Sequence, residues 1–562
     1  MKLSKKLQKA FSVMLALALV IGMVPATNVM AEETTTAEPV VSPTEGINED
    51  DIVILYDNDA HCSIEGYAKV AELKDEMEAK TDYVTLVSSG DFIQGGLAGA
   101  LSKGEWIIDI MNAAEYDIVT LGNHEFDFQL PQLFSLMNYL DAKVVSCNFK
   151  DLQKDKSVYS PYKIVKYGDK KIAFVGVSTP ESITKSTPAY FQNEKGEYIY
   201  GFCNDATGEA LYACVQKAVN QARKAGADYV VAIAHLGTEG STEYWSSTAV
   251  AENTTGIDVI LDGHSHSTFE TSVLKNEAGK EVIVSQTGTK FENIGRLVIT
   301  KDGKISTKLV SLESYTGQDE EVAALVEKVT AEQEKQTGKV IGKTKVDLTT
   351  LDPVTGNRAV RNSETNLGDF CADALRTVLD TDIAIMNGGG IRADIPAGNI
   401  TYANFVSVFP WGNLACVVEV TGQQLKDALE LGAMNFPNES GGFLQVSGIK
   451  YKINSKIASS VKVDEEGLFQ SVEGKYRVKK IKIYNEETGK YEKLDLNKTY
   501  TLGGINYTLK SCGDGFTMFK GSKVVKDDIA VDCEVLITYV TEYLGGTVGE
   551  EYAKPQGRIK IK

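Results

Sequence analysis

Short apolar runs of strand length recur along this chain and constrain its fold more than any other feature. Ile52–Tyr56, Tyr83–Val87, Ile118–Leu121, Lys143–Ser146, Ile172–Val177, Tyr229–Ala234, Ile257–Leu261 and Glu281–Ser285 are rich in Val and Ile and bounded by Gly, Asp, Asn or Ser. That pattern predicts β-strands. Tyr67–Lys80 and Ala206–Ala225, between such runs, carry helical periodicity. Alternation of this kind predicts an α/β layered fold. At 562 residues the chain is too long for one ordinary domain. Asp319–Thr337 lacks Gly and Pro and meets a stop at Gly338, so it reads as one solvated helix joining two regions. The second α/β region, 341–562, has more hairpin character at Tyr451–Ile453, Tyr476–Tyr484 and Val535–Tyr539, and its predicted strand Asp382–Met386 leads into a triple glycine.

The first 31 residues read as a secretory signal peptide. Lys2, Lys5, Lys6 and Lys9 precede the apolar run Phe11–Val24, and cleavage is expected after Ala31. The run is shorter than the roughly 20 residues a membrane anchor needs. Residues 32–50 are acidic and Pro-containing and read as a flexible leader. The expectation is a secreted protein with no membrane anchor. A net charge of −19 argues against a nucleic-acid polymer as partner. Eight cysteines without a CxxC leave the pairing open, with Cys203 and Cys214 the closest pair in sequence.

The five histidines carry the first functional argument. His61, His124, His235, His264 and His266 all stand just after predicted strands, in DND59AH61, GN123H124EFD127, H235LG and DGH264SH266. A fifth strand ends in SSGD91. Ligands of α/β sheets bind at the carboxyl ends of strands, so these groups can converge. Two Asp, one Asn and up to four His form a mixed oxygen and nitrogen set suited to Zn²⁺, Mn²⁺ or similar ions. So many ligands suit two ions, and two ions can clamp an in-line displacement at phosphorus. His124 adjoins a ligand but is not needed as one. Asp127, three residues on, lies where a first helical turn could return it to the imidazole.

DNDAH, GD, GNHE, AH and GHSH, in this order, resemble the dinuclear metallophosphoesterase domain of secreted 5′-nucleotidases, UDP-sugar hydrolases and 2′,3′-cyclic-nucleotide phosphodiesterase/3′-nucleotidases. VR361NSETN, MN387GGGIR392, FP410W411GN and GD514GF are similar to that family's C-terminal nucleotide-binding domain. The resemblance implies a four-layer α/β/β/α sandwich over 51–312, a linker helix within 313–340, and an α/β substrate-binding domain over 341–562. It implies that Asp59, His61 and His266 hold one metal, that Asn123, His235 and His264 hold the other, and that Asp91 bridges them. His124 and Asp127 form the implied catalytic dyad. Arg392 and Arg361, with Arg358 nearby, are placed on the substrate's anionic end. Trp411 and Tyr507 are placed on either side of the base, Asp514 on the ribose hydroxyls, and Asn387 on base or ribose. Three departures stand out: His266 where several members use an amide, Cys62 where Gly is common, and a Tyr507–Asp514 loop one residue longer.

The implied activity is a secreted, metal-dependent phosphomonoesterase. It would hydrolyse nucleoside 5′-monophosphates to nucleoside and phosphate by in-line attack of a metal-held hydroxide. The same site could instead serve cyclic and 3′-nucleotides or UDP-sugars. A catalytically dead, exported nucleotide-binding protein is the rival from another class. Oligomeric state is not legible.

Overall fold

A computed structural model of the chain describes residues 42–193, 195–238, 242–527 and 529–562. The expected signal peptide and residues 32–41 of the expected leader lie outside the described residues. Ser42–Glu45 form a turn closed by Glu45 N donating to Ser42 O at 3.0 Å. Gly46–Lys562 form one compact unit.

Two six-stranded sheets build the N-terminal half. In the first, Ile52–Asp57, Val84–Ser88, Ile118–Val119 and Lys143–Val144 run parallel, with Asn293–Ile299 and Ile305–Ser311 added antiparallel. In the second, Lys170–Ser178, Tyr229–His235, Val259–Leu261 and Glu281–Thr287 are parallel, flanked by antiparallel Tyr162–Tyr167 and Thr268–Lys275. The layering follows from alternation along each strand. Ile52, Ile54 and Tyr56 share one buried cluster with Ile172, Phe174, Val231 and Ile233 of the other sheet. Val53 and Leu55 face away, onto helices Gly66–Glu78 and Glu105–Ala113. Ala173, Val175, Val230 and Ala232 face away on the other side, onto helix Glu209–Lys224. Both faces of both sheets are therefore covered, which is why the central strands are almost wholly apolar. The result is the α/β/β/α sandwich that the family resemblance implies.

The C-terminal half centres on a five-stranded sheet ordered Leu444–Ser447, Ile383–Asn387, Thr499–Ile505, Ala415–Thr421, Lys523–Lys526. Ala384 and Met386 pack on the side of helix Asn366–Leu379, and Ile383 and Ile385 on the side of helix Gly422–Gly432.

Two expectations are corrected. Val535–Tyr539 is not strand: helix Asp532–Thr538 spans most of it. Val535, Leu536, Tyr539 and Val540 are buried, a helical spacing whose tertiary packing overrides the β-propensity of Val and Ile. The helix Glu320–Thr337 is also less solvated than expected. Asp319 caps it by accepting from Val322 N at 2.9 Å. Val322, Val326 and Val329 are buried in the core that the N-terminal helices share. All eight cysteines are free thiols. Among the described residues no helix is long and apolar enough to cross a membrane.

Ile233 is fully buried between the two sheets. Ile233→Ala is expected to cost about 2–5 kcal/mol, read as a lower denaturant midpoint. An unchanged midpoint would contradict a shared inter-sheet core.

Candidate functional site

Parallel strands deliver the polar residues to one edge of each sheet. Asp59 and His61 follow Ile52–Asp57, Asp91 follows Val84–Ser88, and Asn123 and His124 follow Ile118–Val119. His235 ends Tyr229–His235, and His264 and His266 follow Val259–Leu261. The turns are sharp. Asp59, His61, Asp91, His264 and His266 all take positive φ, between 44° and 76°. Each costs on the order of 1–2 kcal/mol for a non-glycine residue, a cost that buys convergence of the side chains. Gly122 is required here, because a Cβ would collide with Asp91 Oδ1 and the His235 ring.

The groups meet in two overlapping clusters. Asp59, His61 and His266 form one, and Asp59, Asp91 and His235 the other, with ligand atoms within 4.8 Å of one another. His266 Nε2 lies 3.4 Å from Asp59 Oδ1 and 3.0 Å from His61 Nε2. Asp91 Oδ2 lies 3.2 Å from His235 Nε2 and 3.9 Å from His61 Nε2, a position between the clusters. His61 Nδ1 donates to Gln94 O at 2.9 Å, and His235 Nδ1 to Ser89 O at 2.8 Å. Those bonds fix the tautomers and turn both Nε2 atoms toward the carboxylates. Asn123 Oδ1 is buried without a hydrogen-bond partner. His264 stands apart from both clusters, with Nε2 2.8 Å from Glu181 Oε2.

This donor set fits divalent ions. Two imidazole nitrogens 3.0 Å apart beside a carboxylate need a proton or a cation between their lone pairs. Burial lowers both His61 and His266 well below ordinary histidine values, with Arg392 adding to the effect at His61 and His61 itself at His266. A cation therefore suits the space better than a proton. Burial raises Asp59 to about 7. At His235 burial opposes the charge, but Asp91 and Asp59 outweigh it and raise the imidazole to about 10.

His124 Nδ1 and Asp127 Oδ2 are 2.6 Å apart, joined across the one-turn helix His124–Phe126. The Trp411 ring stacks on the His124 imidazole at 4.7 Å and 22°. Arg392 lies 5.3 Å over the Trp411 ring, and its Nη2 is 3.4 Å from His61 Nε2. Groups of the C-terminal half thus sit directly on His61 and His124.

The remaining residues line the same cleft. Arg358 is bound to Glu439, with Nε donating to Oε2 at 2.7 Å. Arg361 Nε is buried without a partner. Burial, Arg358 and Arg392 hold Arg361 well below its ordinary value, and burial and Arg358 lower Arg392 to about 10. Crowded cations of this kind favour a bound anion. Asn387 Nδ2 donates to Asp514 Oδ2 at 2.9 Å. Tyr507 OH donates to Thr184 O at 2.8 Å and accepts from Asp514 N at 3.1 Å. Trp411 and Tyr507 both reach the cleft, but Trp411 is engaged with His124. The triple glycine is a close backbone approach, since a Cβ on Gly388 would collide with Val360 O.

Sequence reasoning missed several participants. Glu125, fully buried, accepts from Asp91 N at 2.8 Å, Phe92 N at 2.8 Å and Gly122 N at 2.6 Å, clasping two ligand loops. Its signal was in view, as the acid of GNHE. Glu181 follows the end of strand Lys170–Ser178 and stands at the N-cap of the short helix Ser182–Lys185, and both Glu181 and Lys185 reach the cleft, with Lys185 Nζ 3.3 Å from Asp514 Oδ1. Cys62 turns into the core, its Sγ 3.7 Å from Phe92 O, and burial pushes the thiol up to about 12.

Comparison with known proteins agrees with this geometry. The sequence matches the calcineurin-like phosphoesterase family over residues 53–268 and the 5′-nucleotidase C-terminal domain over residues 340–521. It is 28% identical over 558 residues to the trifunctional nucleotide phosphoesterase protein of Bacillus subtilis, covering 91% of this chain and 35% of that protein. The chain therefore spans about a third of that relative's length. It is 25% identical over 569 residues to the 5′-nucleotidase of Bos taurus, covering 91% of each. The crystal structure of a 5′-nucleotidase precursor from Thermus thermophilus superposes with a TM-score of 0.74 at 27% identity, covering 91% of this chain and 99% of that one.

The dyad generates a pH prediction for metal-free protein. Burial works against the charge of His124, but the Asp127 and Asp91 carboxylates outweigh it and raise its pKa. Its stabilising contribution is complete below about pH 6.5 and is lost as pH rises through the raised folded value. Asp127→Asn should lower the His124 titration midpoint, followed by NMR of the imidazole. An unmoved midpoint would remove Asp127 as the cause.

Proposed function

The chain belongs to the 5′-nucleotidase family, and on that premise we propose that it is an exported phosphomonoesterase acting on nucleoside 5′-monophosphates. It is a hydrolytic phosphoesterase by family. The observation that carries the finer reading is the seating of Arg392 and Trp411 on His61 and His124. Recognition and reaction groups from opposite halves share one cleft there, so a substrate with a phosphate at one end and a base at the other spans both. The basic and apolar residues before Ala31 support export, and the sequence boundaries near 312 and 341 support a catalytic domain, a linker helix and a substrate-binding domain.

In this reading Asp59, His61 and His266 would hold one divalent ion, Asn123, His235 and His264 would hold a second, and Asp91 would serve both. Zinc and manganese suit the donors. Ions held there supply Lewis acidity and an activated water. The chain's own residues do the rest. Arg361 and Arg392 bind and orient the phosphate, with Arg358 held beside them by Glu439. His124, kept protonated by Asp127, donates to the phosphoryl oxygens as charge grows and supplies a proton toward the leaving 5′-oxygen. Asp514 and Asn387 accept from and donate to the sugar. Trp411 and Tyr507 offer ring faces to the base. Trp411 can do so only by sharing or leaving its stack on His124, so base binding and dyad access are linked.

Phosphate release from 5′-AMP and 3′-AMP, measured in parallel with Mn²⁺ and with a chelator, tests the reading. Chelator-sensitive release from 5′-AMP is expected. Release from 3′-AMP alone would move the function to the cyclic-nucleotide branch, and silence on both would favour UDP-sugars or a dead site. His124→Ala should lower turnover about 10²-fold or more with metal content unchanged; a near-normal turnover number would refute its role.

A further inference from the structure

Glu181 is 6% exposed, carries no ligand role in the scheme above, and yet ends on one of the ligands. Its Oε2 lies 2.8 Å from His264 Nε2. Its Oε1 accepts from Thr242 N at 2.7 Å and Thr242 Oγ1 at 2.5 Å. Three donors from two loops therefore fix the carboxylate before any ion binds. The His264 backbone is pinned independently, with N donating to Asp59 Oδ2 at 3.0 Å and φ at 76°. What remains free is the direction of the ring and the choice of tautomer, and Glu181 sets both. An imidazole that gives its Nε2–H to a carboxylate keeps its lone pair on Nδ1.

We propose that Glu181 is the positioning residue for His264: it holds the proton on Nε2 and presents Nδ1 to the ion shared with Asn123, His235 and Asp91. This rests on the dinuclear reading above. The arrangement is unlike the other ligands. His61 and His235 are oriented by backbone carbonyls, Gln94 O and Ser89 O, which no side-chain substitution removes. His264 is oriented by a carboxylate, which also makes the ring a stronger donor. The two ion sites therefore differ in how they are held, and the site containing His264 depends on a residue outside the ligand set.

The test is ion binding by chelator-stripped full-length protein, titrated calorimetrically with Mn²⁺ and followed by visible absorption with Co²⁺. Wild type should bind two ions; failure there would count against the dinuclear reading and not against Glu181. Glu181→Ala should weaken one of the two ions about 10–100-fold, leave the other unchanged, and alter one of the two Co²⁺ environments. His264→Ala should weaken the same ion, and the double variant should show no further loss, as expected for residues acting through one another. Glu181→Gln, which keeps an acceptor oxygen, should fall between wild type and Glu181→Ala. Thr242→Val, which removes one support of the carboxylate and touches no ligand, should give a smaller loss at the same site and serves if Glu181→Ala fails to fold. Two ions bound with wild-type affinity by Glu181→Ala, equal weakening of both, or additive losses in the double variant would each overturn the proposal.

Discussion

The structure depends on bringing Asp59 and Asp91 together out of water. Both side chains are almost fully buried, and both face the same imidazole nitrogens. Burial raises the cost of charge on each, and Asp91 adds to the cost at Asp59. A fold tolerates such a pair only if cations offset it and the backbone is held firmly enough that the carboxylates cannot retreat. Glu125 supplies much of that firmness through bonds to the backbone N–H groups of both adjoining ligand loops. The left-handed turns at Asp59, His61, Asp91, His264 and His266 are the strained counterpart, kept in place by two fully covered sheets behind them.

The groups around this pair arrive from two directions. The histidines come from the strand ends of the N-terminal half, whereas Arg392 and Arg361 reach in from the C-terminal half. Neither half alone supplies all the groups that line the cleft. The helix between the halves is packed into the N-terminal core by Val322, Val326 and Val329 rather than left in solvent.

Much of this was legible because strand ends are legible. A Val- and Ile-rich run followed by Asp, Asn or His announces both the strand and the group it carries, so the gathering of these residues at strand ends was readable from the residues, while their division into ligands and a dyad came from the family resemblance. The arginines and aromatic rings could not be placed by such logic; resemblance to a family supplied them. Edge strands such as Thr268–Lys275 were missed because they bury only part of one face and lose the apolar signal. Val535–Tyr539 misled because β-branched residues were read by propensity, while the spacing of buried positions was helical. Glu181 and Lys185 were passed over for another reason: Glu181 does follow the strand Lys170–Ser178, but without a neighbouring His or Asn an acid and a base around a short helix look like any solvated pair until tertiary structure aims them.

The Lys185–Asp514 ion pair bridges the two halves, with the Asp514 side chain 3% exposed and that of Lys185 28% exposed. Its open side is subject to ionic screening over a Debye length of about 10 Å at 0.1 M salt. The carboxylate it pairs with lines the same cleft as Arg361 and Arg392, so any donor entering there competes with the lysine for that oxygen. Salt in the surroundings thus acts as a lubricant on the joint, loosening a latch between the halves.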